Sequence, residues 1–448
     1  MSGQVNDYNY IRVSRLEPVS IEALALVVAA AYFFYLVSKK QASWDVVYLL
    51  ALPFTDDPFR IGSLQPVEVV SLAFLAFNFR KIRLNYLILI GFTFCLFSFI
   101  GIVTGNVQSL YSPLYSLRFL LIGLVFSAFR NSAFQVPVPV LRFLVGFAFG
   151  VTALQASLWL VGLPIHGVFY NGVLPRTKGL AHEPATWAIF VVTLFPFILH
   201  FKLGRLYLVL NFLMLLLTFS TFGTVATLVF FALRWLLAGA HFRLRPSALR
   251  AAAVTVALLL VVAAVKPEAA ASAGKLFSVF DKLLLYQQEL TLFSQGRSVQ
   301  EAEESVGAAE SGRGSDFNFF KETFPSHWLT GIGSFNAPYD VNGPNPIAGT
   351  NTYLMLPVET GAAGFGLIVI LLIFHYRGLL HDRHRRSIDL MAYSLTFLLM
   401  ISGIRCFGFY EPWYAQSALL RLAPPEVGEA EAAEHRSELL AAGTPAET

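Results

Sequence analysis

Charge is what this sequence has least of. Only 13% of its 448 residues are Asp, Glu, Lys or Arg, against about 25% in an ordinary soluble chain. So sparse a polar complement excludes a globular domain solvated by water on all sides. Cysteine is nearly missing as well. Cys95 lies inside an apolar run and Cys406 at the end of another, which makes neither a disulfide framework nor a metal site. The net charge of +4 comes from cations scattered over short connections, a pattern that sets membrane orientation and excludes a nucleic-acid partner. No cluster of His, Asp or Glu on the outward face has metal-ligand spacing. Asp56 and Asp57 in "TDDPFR" are either turn residues or holders of a divalent ion, and no metal is assigned.

Apolar length is present instead. Hydrophobic residues make up 56% of the chain and the mean hydropathy is +0.62. Runs such as "IEALALVVAAAYFFYLV", "LNYLILIGFTFCLFSFIGIV" and "AAAVTVALLLVVAAV" approach or reach the roughly 20 apolar residues that span a bilayer core. The first run has no small-residue cleavage site and reads as a retained span. The expected fold is all-α: a polytopic integral membrane protein of about 12 transmembrane helices with one large loop on one side. Spans are placed at 19–38, 44–58, 64–79, 84–103, 114–129, 138–163, 185–201, 205–219, 222–238, 250–266, 355–376 and 387–404, with a short apolar piece at 412–422. The organisation is then a helix bundle over 1–266, the loop 267–354, C-terminal helices over 355–422 and a tail 423–448. The tail is rich in Ala, Glu and Pro, a composition that favours disorder.

Lysine and arginine counts give the orientation. Arg234, Arg243, Arg245 and Arg250 mark one basic connection, and Arg377, Arg383, Arg385 and Arg386 a second. Arg80, Lys81 and Arg83 form a third, Lys202 and Arg205 a fourth. All four fall on one face in this span order, read as cytoplasmic. The other face receives 104–113, 164–184 and 267–354. Up to Asp340 the last of these holds ten acids and five Lys or Arg. A connection that long is functional or disordered rather than a plain link. Within it Leu276, Phe280, Leu283, Leu284 and Leu290 share one helical stripe, suited to resting on the membrane, roofing a cavity or packing the loop together. No inverted repeat of the kind found in many transporters is visible.

The outward face also gathers polar chemistry. "LPRTKGLAHEPATWA" packs Arg176, Lys178, His182 and Glu183 between two apolar runs. Arg118 sits about one turn inside the same end of its span and Arg405 near the end of another, while Arg297 and Arg313 lie in the long loop. An arginine within a membrane segment is costly and marks function or pairing, unless it snorkels to the interface. Guanidinium groups converging on one cavity would bind phosphate oxygens bidentately and keep their charge. Glu183 has two readings, a base or a carboxylate at a helix mouth that pairs with Arg176. Lys178 reads as a solvated loop cation or a second anion ligand. Glu359 lies at the start of a membrane helix, suited to the helix N-terminus or to chemistry. Gly361 and Gly364, three apart, permit close helix approach.

Taken in order, "PRTKGLAHEPATWA", "STFGTVATLVF", "GIGSFN" and "TNTYLMLPVETGAAGFG" resemble the O-antigen ligase and O-antigen polymerase (Wzy-type) superfamily. The resemblance covers the order of spans, the one large late loop and the segments around it. It implies a GT-C-like membrane glycosyltransferase of the bacterial cytoplasmic membrane with its long loop outside. The donor would be a glycan on polyprenyl diphosphate and the acceptor a glycan or lipid-linked molecule. No cofactor would be needed, and a chain-length regulator would be a possible partner. Ligases of this kind carry a His-Asn type pair about ten residues before a Gly-x-x-Gly. Here Thr350 and Asn351 stand there, and threonine is no base near neutral pH, which favours the polymerase. Ser220-Thr-Phe-Gly223 likewise replaces the family's serine-arginine-glycine element. The roles that follow place Arg176, Arg118 and Arg313 on the departing diphosphate, with Lys178, Arg297 and Arg405 behind them. The acceptor proton goes to Glu183, then His182, then Glu359 in order of preference, and Asn351 and Tyr353 orient sugar hydroxyls. A ligase and a flippase of the lipid-linked precursor are the competing readings.

Overall fold

The computed structural model describes residues 21–55, 59, 64–107, 111–160, 168–171, 174–181, 183–218, 220–238, 319–336, 352–380, 388–400 and 409–422. The expected span at 250–266, the stripe at 276–290, the tail, Asp56, Asp57, His182, Arg297, Arg313, Asn351, Arg405 and the side chain of Tyr353 lie outside the described residues. In chain order the elements are α1 (Ile21–Ser38), α2 (Trp44–Ala51), α3 (Pro66–Asn78), α4 (Tyr86–Val103), α5 (Tyr111–Arg130), α6 (Val138–Leu160), β1 (Val168–Asn171), β2 (Leu174–Thr177), α7 (Pro184–His200), α8 (Arg205–Leu217), α9 (Thr221–Ala238), α10 (Thr352–Leu380), α11 (Ile388–Met400) and α12 (Tyr410–Arg421).

Among the described residues five helices are long and apolar enough to cross a membrane: Ile21–Ser38, Tyr86–Val103, Ser112–Arg130, Val138–Leu158 and Leu354–Leu379. The helices Pro184–His200, Arg205–Leu217, Phe222–Ala238 and Ile388–Leu399 are apolar but shorter. The outward surface of α1, α3 and α4 is greasy rather than charged: Phe34, Phe77, Phe99 and Val103 are all exposed. α1 makes the point clearly. It is apolar on every side, a pattern suited to lipid as the solvent. Only Ala25, Ala29, Leu36 and the carboxylate-bearing Glu22 turn fully inward, and Tyr32 stacks on Phe143 of α6 with ring centroids 3.6 Å apart.

Successive helices run in opposite directions, so the connections fall at two ends. At the basic end, Ser127 Oγ of α5 donates to Arg83 O (2.6 Å) and the Lys81 ammonium reaches Ser132 (3.3 Å). Ser43 Oγ donates to Gln135 O there (2.6 Å) and accepts from Val46 N–H (3.3 Å), capping α2. At the opposite end, Ser98 of α4 and Ser112 of α5 share a hydrogen bond (2.7 Å). Thr55 N–H donates to Leu180 O at that end as well (3.2 Å). The span expected at 44–58 is therefore a mixed crossing. α2 supplies eight residues, about 12 Å of rise, and the chain leaves the helix at Pro53, which cannot donate a helical hydrogen bond.

The piece at 412–422 is not another lipid-facing span. α12 is buried along Tyr410–Leu419 and sits inside the bundle with a polar stripe. Tyr410, Tyr414, Ser417 and Arg421 recur at helical spacing on one face. Tyr410 OH donates to Glu68 of α3 (3.4 Å), Tyr414 OH to Asp45 of α2 (2.8 Å) and Ser417 Oγ to Phe126 O of α5 (3.5 Å). The Arg421 guanidinium closes on Asp45 through both terminal nitrogens, at 2.6 and 3.1 Å, and lies over the rings of Phe129 and Phe134. Asp45 thus ties the helix to the first third of the chain. Asp45→Ala leaves a buried guanidinium uncompensated, which typically costs about 3–5 kcal/mol. Thermal unfolding in detergent should show a marked fall in Tm for Asp45→Ala, and a smaller one when Arg421→Met is added.

Candidate functional site

The segment that gathers polar residues in the sequence folds as a small re-entrant unit at the end opposite the basic connections. Hydropathy predicts a loop over 164–184; within it β1 and β2 form an antiparallel hairpin in which Phe169 pairs with Arg176 and Val168 with Thr177. The hairpin brings β2 against the last turn of α8, whose carbonyls have no helical partner. Thr177 Oγ1 donates to Leu217 O (2.8 Å) and Arg176 Nε to Thr218 O (3.2 Å). The chain then dives inward. Lys178, read as a loop cation, is buried, and so are Leu180 and Ala181.

Gly179 is the pivot of this dive. Its backbone is in the left-handed region (φ 56°), which glycine adopts without strain. A Cβ there would sit 2.0 Å from the Trp187 ring. Gln155 of α6 grips the same residue twice, accepting from its N–H (3.0 Å) and donating to its carbonyl (2.8 Å). Trp187 in turn donates Nε1–H to Thr152 (3.1 Å). Glu183 is the N-cap of α7 with extended backbone, ahead of Pro184. Its carboxylate accepts from Thr186 Oγ1 (3.3 Å) and makes no cap bond to backbone.

The arginines differ in what holds them. Arg118 of α5 forms an ion pair with Glu68, a second contact to the same carboxylate at 3.2 Å and a cation–π contact with Tyr115 at 4.8 Å. Arg234 pairs with Asp389 at 2.6 Å and Arg421 with Asp45. Arg176 is different. Its Nε is used on a carbonyl, and its two terminal nitrogens have no hydrogen-bond partner among the described residues. Burial pushes its guanidinium below the usual arginine range, while Glu183 nearby acts in the opposite direction. Arg118 and Arg176 thus differ in their partners: the first is paired with Glu68 on α3, the second rests on the end of α8 with Glu183 nearby.

The segments "GIGSFN" and "LPVETGAAGFG" also come together. α10 breaks at Gly361 (φ 63°, ψ 179°), so this glycine, read as a helix-packing residue, opens the helix instead. The freed groups are met by the 328–333 segment. Ile332 N–H donates to Val358 O and Gly333 N–H to Glu359 O, and Ala362 and Ala363 donate to Trp328 O and Leu329 O. Gly364 does keep the packing role, since a Cβ there would meet Phe97 of α4 at 2.7 Å. Glu359 is buried within this junction, remote in sequence from Glu183.

Glu68, Gln155, Ser334 and Asn336 were not singled out in the sequence. Glu68 and Gln155 acquire meaning only through partners 50 and 24 positions away. Among the described residues no three of His, Cys, Asp or Glu are placed to hold a metal ion. Comparison of the chain with family models, curated proteins and solved structures gives no match. Gly179→Ala should lower stability by about 1–3 kcal/mol through left-handed strain alone, and more through the clash with Trp187. A fall in Tm with loss of Trp187 fluorescence shielding is the expected readout.

Proposed function

We propose that the chain is a membrane glycosyltransferase that joins glycan units carried on polyprenyl diphosphate, as the resemblance of its four segments to the O-antigen polymerase and ligase superfamily implies. The observation that carries this reading is the state of Arg176. Arg118, Arg234 and Arg421 are committed to carboxylates, whereas Arg176 is anchored through Nε and, among the described residues, its terminal fork meets no hydrogen-bond partner. A fixed, half-buried guanidinium with unused donors is suited to a diphosphate. Glu183 lies within electrostatic reach of it, so an anion site and a carboxylate adjoin on one rigid unit.

In this mechanism the acceptor hydroxyl oxygen attacks the anomeric carbon and gives its proton to the Glu183 carboxylate. The bond between that carbon and the diphosphate oxygen breaks, and the leaving diphosphate takes the electron pair. Arg176 meets the charge that develops there. His182, Glu359, Lys178, Asn351, Tyr353, Arg297, Arg313 and Arg405 remain proposed helpers in base or substrate-holding roles. Arg118 is left out of the anion set because Glu68 already neutralises it. The hairpin end would face away from the cytoplasm, where the lipid-linked glycan is displayed.

The test is reconstitution in nanodiscs with synthetic undecaprenyl-diphosphate oligosaccharides. Wild type should form glycosidic bonds with EDTA present. Arg176→Ala should lose about 10²–10³ in kcat, the usual effect of removing one donor aimed at developing charge, with Arg176→Lys restoring part of it and Tm monitored in both. A ladder of product lengths supports the polymerase, and a single transfer the ligase. Translocation of the lipid without bond formation, or full activity of Arg176→Ala, would overturn the reading.

A further inference from the structure

The turn Ser334–Asn336, at the docked junction with α10, carries two polar atoms that the fold leaves unmet. Ser334 Oγ and Asn336 Oδ1 are both buried and have no hydrogen-bond partner among the described residues, in residues exposed by 0% and 1%. Buried polar groups are nearly always satisfied, so two orphans within three residues need an explanation. Looseness does not supply one, since the rest of the turn is pinned. Ser334 O accepts from Ser112 Oγ, itself bonded to Ser98. Asn336 Nδ2 donates to Asn106 O (2.9 Å) and Ile332 O (3.1 Å), and Asn336 N–H to Gly333 O.

Those two carbonyls also fix which way the amide points. Flipping it would set Oδ1 against two acceptors, so Oδ1 is the open atom and it can only accept. Ser334 can donate or accept. A ligand that fills both sites must bring a donor to Asn336 and an acceptor or donor to Ser334, which a pair of neighbouring hydroxyls does. The residue between them is strained. Phe335, the one partly exposed residue of the three, has φ 58° without being glycine, a conformation that persists where surrounding structure enforces it and that clusters at binding sites. Its ring lies 4.9 Å from Phe94 and 5.9 Å from Tyr115 by centroid. An apolar aromatic wall beside an open hydroxyl and an open carbonyl oxygen matches the two-faced surface of a pyranose ring.

We infer that Ser334 and Asn336, with Phe335 between them, form a subsite that holds vicinal hydroxyls of a sugar in the transferred or accepting glycan. The inference takes its ligand class from the glycosyltransferase reading, but its residues are separate from Arg176 and Glu183. Since Phe335 is the partly exposed residue of the three, the inferred subsite requires its ring to move aside for the sugar to reach the two atoms.

Ser334→Ala tests it cleanly. The hydroxyl makes no hydrogen bond among the described residues, so its removal should leave Tm unchanged or raised. In nanodiscs with the undecaprenyl-diphosphate oligosaccharides, KM should rise about tenfold, the worth of one hydrogen bond, with kcat little changed. Ser334→Cys, nearly the same shape with a weaker donor, replaces the alanine variant should that fail to fold, and should raise KM less. If wild type turns over and both KM and kcat of the folded variant equal wild type, the orphans hold water or nothing and the inference is overturned while the glycosyltransferase reading stands. If wild type forms no glycosidic bond, that reading fails, and calorimetric titration with the free oligosaccharides decides the subsite: binding by wild type that weakens in Ser334→Ala supports it, and no binding or equal binding overturns it.

Discussion

A charge drawn into a bundle whose outer surface is apolar has no water to fall back on, and the fold is arranged around meeting that demand from within. Asp45 and Arg421 do so most completely. The carboxylate takes both arms of the guanidinium and the Tyr414 hydroxyl, and Gln135 N–H adds a further donor. Because Asp45 opens α2 and Arg421 ends α12, this one cluster joins the start of the chain to its last described helix. Glu68 repeats the arrangement toward the other end, receiving Arg118 and Tyr410. Asp389 does the same between α11 and α9. Such pairs add less net stability than their geometry suggests, since desolvation offsets the attraction, yet removing one partner is severe.

Against that background the hairpin unit departs from the pattern in an orderly way. The unit that carries Arg176 is fixed at several points: Thr177 on α8, Gly179 on Gln155 and Trp187 on Thr152. The guanidinium is itself aimed by its Nε contact. A side chain held this firmly loses little freedom when it takes up a ligand, which is the property a binding group needs. The proposed anion site is therefore a rigid one placed at a break between helices, where backbone groups are already in use.

Much of this was legible in the sequence. Apolar run lengths anticipated the long apolar helices, and the described basic connections around Lys81–Arg83 and Phe201–Lys202 lie at one end, joined through the segment that holds Ser132 and Phe134. Other features were hidden for physical reasons. Hydropathy treats 164–184 as a polar gap, although Gly172, first of the two residues between the strands, is the glycine that a two-residue hairpin connection favours. Gly361 and Gly364 look alike at three-residue spacing, but only the partner segment at 328–333 makes one a break and the other a packing contact. Arg118 looked like a lone intramembrane cation because its counter-charge lies on a different helix. The polar face of α12 was invisible in a run short enough to pass as a weak span. What composition could not supply, in each case, was the partner.

The central claim is that Arg176 holds a lipid diphosphate, and direct binding addresses it without requiring turnover. The decisive measurement is the affinity of glycan-free undecaprenyl diphosphate for the full chain in nanodiscs, compared between wild type and Arg176→Gln with thermal stability matched. The account predicts a loss of about tenfold or more, as expected for a charge-assisted bidentate contact. Equal affinity in the two proteins would contradict it.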